Sequence, residues 1–199
     1  MEGRSAEKVI QLMPVRWCGR ISGVLFGVLS LFFPATGKAA ERLCSGDIVF
    51  RHGSGFWSEF IRRNTPRDQR FSHVGIIWIN NGVISVIHAD GDDFSGHGKV
   101  GVVPWTDFKR TAKRIAFFRL KLSYDERQKF VQCALKLSGR DFDWKFDRND
   151  HSELYCTELL YVALQESKPG WLSLPDGPVI PLSLFSAPEI AREMEIEIP

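Results

Sequence analysis

Three side chains in this sequence could make a nucleophile and its base: Cys156, His73 and His88. Cys156 sits in the run SELYCTELLYVAL. Its apolar spacing predicts a helix over Glu153–Glu166, with Ser152 or Asp150 as cap. With Ser152 as cap, the thiol falls about four residues in, where backbone N–H groups lack partners and the positive dipole end favours an anion. Such placement predicts a depressed thiol pKa and a thiolate ready to attack. Cys133 instead falls mid-helix beside an apolar stripe. It reads as a buried, inert thiol or as half of a disulfide with Cys44.

The two histidines flank a turn. Ser72–Ile79 (SHVGIIWI) and Val83–Ala89 (VISVIHA) are apolar, β-rich runs separated by Asn80-Asn81-Gly82. Asn-Gly between such runs is a strong hairpin signal. A two-residue loop at Asn81-Gly82 pairs Gly75 with His88 and His73 with Asp90. Facing residues share a sheet face, as do residues two apart on one strand. His73, His88 and Asp90 therefore project together, with Gly75 leaving space beside them. That supplies a general base, His73, oriented by His88 or by Asp90, for the thiolate of Cys156. A solvated face with incidental histidines is the plainer alternative. A third reading is a metal site drawn from His73, His88, Asp90, Asp92 and His97. HADGDDFSGHG is rich in ligands but matches no HExxH, CxxC or EF-hand spacing.

The elements that must hold these groups follow from periodicity. Asp47–Arg51 predicts a strand and Gly55–Arg63 a short helix with Trp57, Phe60 and Ile61 inward. Lys99–Val103 and Arg114–Leu120 predict further strands. Ser123, with Glu126 three residues on, is a capping box that opens a helix ending at Gly139. A proline-rich tail (Pro169, Pro175, Pro178, Pro181, Pro188) wraps the surface, and with Trp171 and Leu182 it is a candidate groove wall. Strands first and helices later predict an α+β domain, an antiparallel sheet with helices on one side.

The chain has 199 residues, 44% apolar and 25% charged. That fits one globular domain and excludes collagen-like, disordered and coiled-coil classes. A net charge of +2 argues against a dedicated nucleic-acid binder. Arg16 and Arg20 precede an uncharged run, Ile21–Gly37, and small residues follow. This reads as a secretory signal over residues 1–39, cleaved before Ala40, with translation from Met13 giving a more usual length. A retained anchor is the alternative, but the run contains Pro34 and is shorter than the ~20 residues that span a bilayer. The expected mature domain, residues 40–199, has a net charge of −1 and keeps Cys44, Cys133 and Cys156. An odd cysteine count in an oxidising compartment leaves one thiol free or paired between chains.

Taken together, GDIVF, FSHVGII, the strand ending in IHA and YCTELLY resemble the YiiX/YebB/YaeF-like cysteine hydrolases. These are the circularly permuted branch of the NlpC-type papain-like superfamily. The resemblance runs from about Leu43 to Ala191 and includes GRDFDWKFDRND and SAPEI. It implies a permuted papain-like fold, an antiparallel sheet or small barrel packed against helices. It implies Cys156 as nucleophile, His73 as general base and His88 at the third, polar position, a place relatives often give to Glu. Thr157 stands where many relatives have Ser. It also implies an oxyanion held by the Cys156 N–H and one further donor.

The expected activity is cofactor-free hydrolysis of an amide or ester in cell-wall peptides or in acyl or lipid substrates. The expected place is the periplasm or outside the cell, without a stable membrane anchor. Arg62, Arg63, Arg67 and Arg70 form a candidate anion-binding patch or an ordinary solvated face. The competing readings are a non-catalytic exported binding module on the same fold and a His/Asp metal-binding protein.

Overall fold

The computed structural model describes residues 41–196, apart from 54, 55, 66, 93 and 94. The expected export signal, residues 1–39, lies outside the described residues, as do the side chains of Trp57 and Phe60. Six strands form one antiparallel sheet in the order β4-β3-β2-β1-β5-β6. They are β1 Ile48–His52, β2 His73–Asn80, β3 Val83–Gly91, β4 Gly98–Pro104, β5 Arg114–Leu120 and β6 Ala191–Met194. The helices are α1 Phe56–Asn64, α2 Trp105–Arg110, α3 Tyr124–Lys136 and α4 Cys156–Ser167. The class is α+β, as the element order predicted. Among the described residues no helix is long and apolar enough to cross a membrane.

The hairpin forms as its turn residues dictate. Asn81 and Gly82 take positive φ values of 49° and 79°. A type I′ turn needs positive φ at both central positions. The ladder pairs Asn80 with Val83, Ile79 with Ile84 and Ile76 with Ile87, which is the two-residue register. Gly75 is required by the crowding that follows. A Cβ there would collide with Val86 Cγ1 and come to 3.3 Å from His88 Cβ.

Alternation along the strands feeds two cores. On one face Ile48, Phe50, Val74, Ile76, Ile87 and Ala89 pack with Phe130, Val131 and Ala134 of α3 and Leu159, Leu160 and Ala163 of α4. The capping box of α3 forms as expected. Ser123 Oγ accepts from the Glu126 N–H, and a Glu126 carboxylate oxygen accepts from the Ser123 N–H. On the other face Val49, Ile77, Val86 and Phe117 lie under Trp105 and Phe108 of α2. Helices therefore cover both faces, which corrects the one-sided expectation. Helix α2 has six residues, too few to show a 3.6-residue period. Strand β6, AREM, also escaped notice, because its exposed middle is charged.

Gly75→Ala is expected to destabilise the fold by about 1–3 kcal/mol through overpacking against Val86 and His88. The shift in the urea unfolding midpoint measures it.

Candidate active site

Helix α4 starts at Cys156 with Tyr155 as its N-cap, not at Glu153. The preceding backbone is spent elsewhere. The Leu154 N–H donates to the Asp141 carbonyl at 2.9 Å. The Tyr155 hydroxyl accepts from the Ile180 N–H at 2.9 Å, and its ring packs on Phe146. Ser152 bonds back to Asp150 instead of capping the helix. These ties hold residues 152–155 out of helical geometry, so the thiol occupies the first helical position. Glu158, fully buried, supports that start. One of its oxygens accepts from the Tyr155 N–H at 3.5 Å and the other meets His151 Nδ1 at 2.6 Å. Burial pushes the Glu158 carboxyl up to about 7, against the pull of His151.

The hairpin brings His73 and His88 together. His73 Nε2 lies 3.0 Å from His88 Nδ1, with the rings edge-on at 5.2 Å between centroids. Phe108 of α2 closes over both, with centroids at 5.9 and 5.3 Å. Asp90 is not the partner of His73. Its carboxylate accepts from Arg51 at 2.8 Å and stands 3.7 Å from His88 Nδ1. Arg51 is a residue the sequence reasoning passed over. It pairs with His73 across the β1–β2 ladder, donates to the Phe108 carbonyl and stacks on the Phe108 ring.

Cys156 and His73 line one cavity of about 280 Å³, together with Arg51, Ser58, Ser72, Asp90 and others. The backbone N–H groups of Val74, the residue after His73, and of Thr157 pull the thiol toward its anionic form. On its other side Cys156 lines a second, apolar cavity of about 360 Å³. The tail residues Pro178, Val179, Pro181 and Leu182 help wall that cavity. The expected groove wall is thus present with Leu182 in it, while Trp171 packs against the main core instead.

The charge states differ from the sequence expectation. Burial pushes the Cys156 thiol up to about 11, and the two amide donors and Arg51 only partly oppose it. Burial, then Arg51 and His88, holds His73 well below its ordinary value. Burial lowers His88 to about 4, with Arg51 adding to it and Asp90 opposing. Desolvation outweighs the helix dipole, so burial favours the neutral forms of the thiol and of both imidazoles.

The other candidates scatter. His73, His88 and Asp90 place ligand atoms within 4.8 Å of one another. Asp92 and His97 are outside that cluster. No disulfide joins Cys44 and Cys133. Arg62 and Arg63 pair with Glu59, and Arg70 pairs with Asp68 and Glu193. Arg62 and Arg63 share the one Glu59, and Arg67, the fourth residue of the expected patch, is exposed.

The rate of Cys156 alkylation by iodoacetamide is expected to climb with pH from 7 toward about 11, following the thiolate fraction. A rate already flat between pH 6 and 8 would indicate a preformed ion pair and contradict this electrostatic picture.

Comparison with known proteins agrees with the fold and the chain order. Residues 42–172 match the family described as permuted papain-like amidase enzyme, YaeF/YiiX, C92 family. The uncharacterized protein YiiX of Escherichia coli K12 is 27% identical over 130 residues, 62% of this chain and 58% of that protein. This chain thus spans less than two thirds of that relative. A crystal structure described as the metalloprotein yiiX from Escherichia coli O157:H7 superposes with a TM-score of 0.59 at 21% identity. That match covers 78% of this chain and 98% of the other. With an antiparallel sheet whose histidine hairpin precedes the cysteine helix, and a family match over most of its length, the chain belongs to the permuted papain-like amidases of the YaeF/YiiX type.

Proposed function

We propose that the chain is a thiol hydrolase in which Cys156 is the nucleophile, His73 the general base and His88 the group that orients His73. One observation carries this reading. Cys156 and His73 line the same cavity, while His88 engages Nε2 of that imidazole. With Nε2–H donating to His88 Nδ1, Nδ1 of His73 is the free lone pair. It takes the thiol proton as sulfur attacks an amide or ester carbonyl. The C–N or C–O bond then breaks, His73 protonates the leaving amine or alcohol, and a thioester remains. Water, deprotonated by the same nitrogen, releases the acid and restores the thiol. Neutral His88 orients the base but stabilises imidazolium less than a carboxylate would.

The two cavities that meet at Cys156 favour an acyl substrate over a cell-wall peptide. The apolar one suits an aliphatic chain and the polar one the leaving group. We also read residues 1–39 as an export signal, which puts the activity in the periplasm or outside the cell. N-terminal sequencing of chain recovered from the expressing cells is expected to begin at Ala40. A start at Met1 or Met13 would overturn the cleavage.

A second reading rests on the triplet of His73, His88 and Asp90. Its two imidazoles and one carboxylate fit a divalent transition metal in donor type. Bound there, a metal would supply Lewis-acid activation of water. Arg51 on Asp90 disfavours it, since a guanidinium already neutralises the carboxylate.

With 4-nitrophenyl octanoate, Cys156→Ala and His73→Ala are expected to lose at least about 100-fold in turnover. Chelation by EDTA is expected to change nothing. Loss on EDTA treatment together with full activity of Cys156→Ala would replace the thiol reading with the metal one.

A further inference from the structure

Resting on that hydrolase reading, we infer that the hydroxyl pair Ser58–Ser72 supplies the second oxyanion donor, opposite the backbone N–H of Cys156. The oxyanion formed when sulfur attacks needs hydrogen-bond donors fixed beforehand. Cys156 N–H is one, since the first N–H groups of a helix have no partner within the helix. A second must come from the wall of the same cavity.

Ser58 of α1 and Ser72, the residue before His73, both line that cavity with Cys156. Their hydroxyl oxygens lie 2.5 Å apart. Ser72 is buried, and its oxygen also accepts from the Gly53 N–H at 3.3 Å. Two hydroxyls bring two hydrogens, and their mutual bond uses one. If Ser58 donates to Ser72, the Ser72 hydrogen is uncommitted. If Ser72 donates to Ser58, the Ser58 hydrogen is uncommitted. Either way one O–H has no acceptor among the described residues, and both serines line the cavity that would hold the reacting carbonyl. An oxyanion, acceptor only, completes the count. The second hydroxyl polarises the first, because a hydroxyl that accepts a bond donates more strongly.

The charged groups and the other hydroxyl of the wall fit less well. Arg51 is committed to Asp90 and to the Phe108 carbonyl and stands beside the imidazoles. A donor there would compete with His73 for the leaving-group side. Asp90 and Asp92 carry charge of the wrong sign. Thr111 is exposed, where water weakens any donor.

The experiment compares two reactions of the same sulfur. Alkylation by iodoacetamide forms no oxyanion, whereas the acylation burst with 4-nitrophenyl octanoate does. In the double variant Ser58→Ala, Ser72→Ala the burst is expected to slow about 100-fold, with KM and the alkylation rate within about threefold of wild type. Ser72→Thr, which keeps a hydroxyl, is expected to recover most of the burst rate. A double variant that acylates at the wild-type rate overturns the inference. So does equal loss of burst and alkylation, which would mark the pair as structural. A wild-type chain that shows no Cys156-dependent burst overturns the hydrolase reading itself, and this inference with it.

Discussion

The hydrogen bond between His73 Nε2 and His88 Nδ1 is the contact on which the rest of the site depends. It is set by a register, and the register is set by a turn. Asn81 and Gly82 accept the positive φ that lets β2 fold straight back as β3. From there the pleat carries both imidazoles to one face. The missing side chain at Gly75 lets them approach. Phe108 then seals the pair from above. A slip of one residue would turn His88 to the opposite face and put Ala89 in its place.

What could be read in the sequence had local causes. The hairpin, its register and the shared face of the histidines follow from a dipeptide and a period of two. The capping box of α3 is likewise contained in four consecutive residues. The start of α4 is different. It depends on Leu154 bonding to Asp141 and on Tyr155 meeting Ile180, contacts between segments that no spacing connects. Arg51 stayed hidden for a related reason. The connection from β1 to β2 passes through α1 and a loop, so no tight turn reveals that Arg51 faces His73. The short α2 and the charged β6 lacked the length or the apolar pattern that would announce them.

Electrostatics was the hardest property to foresee, because two opposing effects act on one atom. The helix start and the two amides at the sulfur favour thiolate, and burial opposes it. The first can be inferred from position, the second only from packing. Burial also holds both imidazoles neutral. Burial therefore disfavours charge at the centre of the site, although Arg51 and Asp90 neutralise each other at its edge.

The order of the groups along the chain has a consequence for biogenesis. A ribosome delivers the imidazole hairpin well before the helix that carries the sulfur. Segments emerge from the N-terminus onward and tend to fold as they appear. The sheet can bring His73 and His88 together while Cys156 is still inside the exit tunnel. Cys156 joins the two histidines only near the end of translation, when α4 docks against strands already paired. A prematurely terminated product would contain the histidine hairpin without the cysteine.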